Sequence, residues 1–337
     1  MSAAHLARQT LPPKRRSRGL GPPPDPHVIP LAHNARVTVD EMTYDGVWLI
    51  HIAGTTADPT IFPPDRTLPQ IAFDFRDLKL AEPDVIEADP FARFRELIGD
   101  GLTAGLAPRA VSSHPNPPRH LVFVGHSFGG MVSADFLIHT RKEQLQALVP
   151  TVERVTLVMI CAAHESPLPY YRIRSDAPLV GPLATWLSHH VTHVGTGTRR
   201  RLGNVMKAVG QAPPSELWRE TWKHKDELRA VWNLPRASTL DHFWSVIECA
   251  RRYDIGNAIA ENPDALWADL LILSAERDTQ WPEAMFDSFW DRVMDSRCPR
   301  ARWCHFPGDD HLSVARQPVK YYKEIKDFLN ESRSRIR

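Results

Sequence analysis

Cysteine is scarce in this chain: there are four in 337 residues, at Cys161, Cys249, Cys298 and Cys304, and no two stand in a C-x-x-C pair. That excludes a cysteine-built zinc module and a small secreted fold stapled by disulfides. Cys161 lies in a strand-like run and reads as a small core residue. Cys298 and Cys304 are close enough in sequence for a local disulfide, but a reducing compartment is the default reading. An excess of one charge is also missing. Lys and Arg number 41 against 40 Asp and Glu, a formal net charge of +1, so no global field points to nucleic acid or an anionic membrane. Long hydrophobic runs are absent as well. The longest, Val155 to Ala163, is broken by Thr156 and falls far short of the roughly 20 residues that span a bilayer. No internal repeat is visible.

Residues 1–30 carry many prolines and a basic cluster, Lys14-Arg15-Arg16 with Arg18, and no acid before Asp25. No apolar core of roughly 7–15 residues follows the charges, so a secretory signal is not expected. The segment reads as a disordered tail. Its Arg-rich, acid-poor character also fits an organelle transit peptide, although the prolines oppose an amphipathic helix there. Otherwise a soluble, cytoplasmic protein is expected, with 42% apolar residues to build a sizeable core.

What is present is concentrated at residues 121–130, Leu-Val-Phe-Val-Gly-His-Ser-Phe-Gly-Gly. Gly125-His126-Ser127-Phe128-Gly129 has the G-x-S-x-G spacing of a nucleophile elbow, preceded by a buried-strand run and followed by the helix-compatible Met131–Leu137. The spacing has a steric reason. A serine lifted clear of a tight strand-to-helix turn needs flanking residues without a Cβ. With 17 Gly and 18 Ser in the chain, chance would give about 0.04 such matches, so Ser127 reads as a nucleophile.

Around it, short apolar runs alternate with helical periodicities, the pattern of a parallel sheet flanked by helices. Arg36–Tyr44 suits an edge hairpin strand with a bulge. Val47–Ile52, Ile71–Phe73, Leu121–Val124, Val155–Ile160, Leu270–Leu273 and Ala301–His305 read as further strands. Phe91, Phe94, Leu97, Ile98, Leu102 and Leu106 mark one helix face, and Tyr322, Ile325, Phe328 and Leu329 mark another. Between Ala163 and about Ala265 the strand pattern gives way to helical faces, with Trp186, Trp218, Trp222, Trp232 and Trp244 among them. Some of these aromatics suit a subdomain core. The segment as a whole reads as a lid whose inner face forms an apolar pocket. The expected division is a tail at 1–30, a core at 31–164 and 266–337, and a helical lid at 165–265.

A serine hydroxyl needs a histidine to remove its proton and a carboxylate to orient that histidine. In the order Ser, acid, His, the chain offers Asp278 in Ser274-Ala275-Glu276-Arg277-Asp278, and His311 in Pro307-Gly308-Asp309-Asp310-His311. Both follow strand runs, so all three would emerge at the carboxyl ends of parallel strands. Over roughly residues 35–330, with the elbow at 125–130, the A-E-R-D turn at 275–278 and the P-G-D-D-H loop at 307–311, the chain resembles the α/β-hydrolase superfamily. The resemblance makes Ser127 the nucleophile, Asp278 the acid and His311 the base. It also implies an α/β fold with a mostly parallel eight-stranded sheet and a lid after the sixth strand. Ala275 stands where family members often have glycine. After the third strand, His51-Ile52-Ala53-Gly54-Thr55 replaces the frequent His-Gly. The first oxyanion donor is then the backbone N–H of Phe128. The second is assigned to Thr55, with Gly54 its near alternative.

Rivals remain for two roles. Glu165 could supply an acid after the sixth strand. Asp309 and Asp310 read as turn formers beside the histidine, and His305 as a strand residue. His189, His190 and His193 lack the Glu of H-E-x-x-H and an obvious third ligand, so no metal is expected. Arg199-Arg200-Arg201 reads as a solvated face. The function that follows is hydrolysis of a carboxylic ester or related acyl compound through an acyl-enzyme, on an apolar or aromatic small-molecule substrate and with no cofactor. Thioesterase, lactonase, acyltransferase and a non-catalytic ligand-binding protein are the alternatives. Serine at the elbow argues against epoxide hydrolases and haloalkane dehalogenases, where the resemblance implies Asp.

Overall fold

Strands that are apolar along their whole length need cover on both faces, and here the burial graduates across one sheet. The computed structural model describes residues 27–31, 36–40, 46–52, 54, 68–75, 78, 89–111, 113–166, 249–250, 252–278, 281–311 and 313–334. The strands are β1 (His27–Pro30), β2 (Arg36–Asp40), β3 (Val47–Ile52), β4 (Gln70–Asp74), β5 (His120–His126), β6 (Arg154–Ile160), β7 (Asp269–Ala275) and β8 (Ala301–Phe306). They form one sheet in the order β1-β2-β4-β3-β5-β6-β7-β8. From β4 to β8 all neighbours are parallel, while β1 and β2 add an antiparallel ribbon on β4. β3 and β7 are buried throughout, and β5 and β6 in all but their first residue; the edge strand β8 is half-exposed until Phe306.

The helices are α1 (Ala92–Leu106), α2 (Phe128–His139), α3 (Lys142–Leu148), α4 (Gly256–Glu261), α5 (Glu283–Asp295), α6 (Ser313–Arg316) and α7 (Pro318–Ser334). Alternate strand residues serve two cores. Ile50, Phe123, Leu157 and Ile272 face a cluster containing Phe94 and Leu97 of α1, Met131 of α2, and Phe286 and Phe289 of α5. Leu49, Val122, Val158 and Leu271 face Tyr321, Ile325 and Phe328 of α7. α2 is buried from Phe128 to Leu137 on every side, as befits a helix apolar all round. Its Asp135 takes Arg95 of α1 at 2.6 Å, which locks the helix that carries the serine against its neighbour.

Two expectations about the first strands need correcting. The disordered tail expected over residues 1–30 fails at its last four residues, because His27–Pro30 pairs with β2; residues 1–26 lie outside the described residues. β2 is therefore one strand in from the edge, and β1 takes the edge, a place where Pro30 is tolerated. Four residues within a proline-rich run offer too little periodicity to reveal a strand. All four cysteines are free thiols, so Cys298 and Cys304 do not pair.

The expected lid meets the core at two stems. Ser166 N–H donates to the Tyr253 carbonyl at 2.9 Å and Ile255 N–H to that of His164 at 2.8 Å, around a bridge between Glu165 and Asp254. Cys249, Ala250, Tyr253, Ile255 and Ile259 pack into the larger core. Residues 167–248, with Trp186, Trp218, Trp222, Trp232 and Trp244, the histidine trio and the arginine run, lie outside the described residues. Among the described residues no helix is long and apolar enough to cross a membrane.

Candidate active site

The carboxyl ends of β5, β7 and β8 bring the site together. β5 ends at His126, and Ser127 turns the chain with φ 55° and ψ −125° before α2 begins at Phe128. A side-chain-bearing residue in this region costs on the order of 1–3 kcal/mol and persists only where its surroundings hold it. They do so here: Ser127 N–H donates to the Ile160 carbonyl at 2.8 Å, and its own carbonyl accepts Gly130 N–H at 2.9 Å. The need for glycine is plain at two positions. A Cβ on Gly125 would lie 2.3 Å from the Gly129 carbonyl oxygen, and one on Gly130 would lie 2.6 Å from the Ala162 Cβ. Phe128 opens α2, where a first-turn N–H has no carbonyl partner within its own helix. It is stacked on Phe91, with ring centroids 5.9 Å apart.

The acid turn after β7 and the histidine loop after β8 are laced to each other. Glu276 N–H donates to the Phe306 carbonyl at 3.1 Å and Arg277 N–H to that of Asp309 at 2.8 Å. Gly308 N–H returns a bond to Glu276 Oε2 at 2.6 Å. This brings Asp278 under His311, whose Nδ1 lies 2.8 Å from Asp278 Oδ2. The Asp278 side chain is fully buried, and a buried carboxylate has to be met by donors. Trp281 N–H reaches Oδ1 at 3.1 Å, and the Cys161 thiol supplies another hydrogen bond. Burial, and then the neighbouring Asp278, push the Cys161 thiol well up, so it stays protonated and can donate.

The rivals have other work. Asp309 Oδ2 accepts Lys320 Nζ and Tyr321 Oη, each at 2.8 Å, while Asp310 pairs with Arg316. Both thus pin the histidine loop to the elements that follow it. His305 Nδ1 lies 3.0 Å from Ser274 Oγ, within the β7–β8 face. Glu165 stands in the bridge to Asp254, where its carbonyl accepts Trp281 Nε1–H at 3.4 Å. Thr55 lies outside the described residues. Its neighbour Gly54 flanks the serine: a Cβ there would lie 3.4 Å from the Ser127 Cβ and 3.3 Å from the His126 carbonyl oxygen.

Three residues at the site were missed by sequence reasoning. Trp281 stacks on the His311 ring at 5.5 Å with an interplanar angle of 12°. Cys161 follows β6 with φ 49°, its N–H held by the Leu273 carbonyl at 2.8 Å. His126 donates Nε2–H to the His311 carbonyl at 2.8 Å, its ring 4.9 Å from the His311 ring. The only available signal was proximity in sequence to the elbow, the sixth strand and the acid. Nitrogen and sulfur atoms of His126, Cys161 and His311 fall within 4.8 Å of one another. His126 Nε2 is engaged by a carbonyl and His311 Nδ1 by Asp278, which ties the cluster into a hydrogen-bonded frame.

No family model matches the chain, and no curated protein matches it. Solved structures do. An α/β-hydrolase enzyme from a Medee basin deep-sea metagenome library, MGS-M2, superposes with a TM-score of 0.57 at 13% identity, over 90% of this chain and 97% of that one. An enol-lactonase from Burkholderia xenovorans LB400 gives 0.57 at 15% identity, over 88% and 97%. A thermophilic esterase from Thermogutta terrifontis gives 0.57 at 16% identity, over 91% and 98%. The protein has the α/β-hydrolase fold, a mostly parallel sheet flanked by helices.

Proposed function

We propose that the protein is a serine hydrolase of carboxylic esters or related acyl compounds. The observation that carries this reading is the 2.8 Å bond from His311 Nδ1 to the buried Asp278, at the same sheet end as a serine in a strained elbow. Ser127 Oγ attacks the acyl carbonyl while His311 Nε2 takes its proton. Asp278 keeps the imidazole in the Nδ1–H tautomer and stabilises the cation that forms. The Phe128 and Thr55 N–H groups receive the oxyanion. His311 then protonates the leaving oxygen, and the acyl group stays on Ser127. Water, deprotonated by His311 in turn, releases the acid and restores the serine. The segment 165–265 is proposed as the lid over this site, because the Trp281 that stacks on His311 also reaches the Glu165 stem.

The test is covalent labelling with a fluorophosphonate probe and mapping of the modified residue, followed by turnover of esters, thioesters and lactones of graded acyl length. Labelling is expected at Ser127, and Ser127→Ala should abolish it together with turnover, a loss on the order of 10⁴–10⁶ in rate. Ester turnover by the purified alanine variant at the native rate would overturn the reading. Lactones join the panel because a protein of the same fold is an enol-lactonase.

A further inference from the structure

His126, the second residue of the elbow, takes no part in the chemistry just described, yet it touches three parts of the site. Its ring is buried. Nε2–H is bonded to the backbone carbonyl of His311 itself at 2.8 Å. Its carbonyl oxygen and Nδ1 line the place where Gly54 passes, 3.3 and 3.4 Å from a Cβ built on that glycine. The residue bonded to the His311 carbonyl is thus the one joined by a peptide bond to Ser127. One hydrogen bond ties the main chain of the base to the side chain of the residue beside the nucleophile, across 185 residues of sequence. Transfer of the serine proton depends on that spacing.

We propose that His126 is a positioning residue that sets the distance from Ser127 to His311 through its Nε2–H bond to the His311 carbonyl, an inference that rests on the serine-hydrolase reading. Burial, and then the nearby His311, lower His126 to about 3. The ring is therefore neutral where His311 works, and with Nε2 facing a carbonyl the proton sits on Nε2. Neutrality suits the site for a second reason. His311 becomes an imidazolium during acylation, and a like charge with its ring 4.9 Å away would oppose that cation. A histidine held neutral by burial supplies a rigid donor without adding charge.

The full-length wild type, His126→Gln and His126→Phe are compared by rate of fluorophosphonate labelling, by kcat and KM on an activated ester, and by thermal melting. Glutamine can present its amide N–H near the Nε2 position, whereas phenylalanine fills the space without a donor. His126→Phe should lose about 10–100-fold in kcat and in labelling rate with KM nearly unchanged. His126→Gln should recover to within about threefold of wild type. If His126→Phe does not fold, His126→Asn, whose amide is too short to reach the carbonyl, is read in its place. A donor-less variant as fast as wild type overturns the proposal, and so does a glutamine variant slowed as much as the donor-less one, since shape and not the bond would then matter. Wild type that is not labelled at Ser127 removes the serine-hydrolase reading itself. A labelled wild type beside an unimpaired His126→Phe removes only the role of His126.

Discussion

Asp278 shows how a single side chain acquires its role from what surrounds it. Its oxygens receive His311 Nδ1–H, Trp281 N–H and the Cys161 thiol, so a fully buried carboxylate has donors on several sides. Asp278→Asn would present an amide to His311 and reverse the tautomer it enforces. Turnover should fall by about 10⁴, the scale of the same substitution in a trypsin-like triad, while Glu165→Gln should leave kcat near wild type. Measured kcat for both variants on one ester decides this, and the opposite pattern would assign the acid to Glu165. Among residues, Asp278 and His311 were legible because each follows a strand run and the family resemblance implies the order Ser, acid, His. Cys161 and Trp281 were not. Their roles depend on the register that sets Cys161 N–H on the Leu273 carbonyl and on a turn that swings Trp281 over His311, and neither leaves a local pattern.

The elbow is an element whose sequence and geometry are nearly the same statement. Its glycines answer to named atoms: Gly125 to the Gly129 carbonyl at 2.3 Å, and Gly130 to Ala162 at 2.6 Å. The strand–serine–helix order was therefore readable without any long-range contact. The helix face of α1 was readable for a similar reason, since Phe94, Leu97, Ile98, Leu102 and Leu106 recur at its period and all are buried. β1 escaped because its four residues are held by pairing with β2 and carry little signal of their own. Gly125→Ala should disrupt both fold and site, because the new methyl meets backbone that has no rotamer by which to move aside. Melting should fall by several degrees, the shift expected for about 1–3 kcal/mol of overpacking strain, and fluorophosphonate labelling should slow in step. A variant with native melting and native labelling would show that the close approach of Gly125 to Gly129 is not required.

At the scale of the whole molecule, stability is linked to pH through histidines that the fold keeps neutral. Burial dominates for both His126, lowered to about 3, and His164, lowered to about 4 with Arg292 adding to the effect. Unfolded, each would titrate near 6.5. Between those values the unfolded chain binds protons that the folded chain refuses, so unfolding free energy rises with pH there. The contribution is intact above about 6.5 and is lost as the solution is acidified toward about 4. His139 has the opposite sign. Its hydrogen bond to Asp135 raises it, so its stabilisation is present at low pH and fades as pH rises, but the ring is half-exposed and solvent screens it. Two buried groups against one screened group give a net loss on acidification, at a slope of about 1.4 kcal/mol per pH unit for each proton taken up. Urea unfolding from about pH 7.5 to about pH 4.5 should show this fall, and His164→Gln should make it shallower by about one proton. An unchanged slope in the variant would mean that His164 alone binds its proton in the native state, and stability that stays level from about pH 7 to about pH 5 in wild type would mean that both rings do. His126 would then carry charge beside the imidazolium of His311, and its value as a neutral brace would be lost.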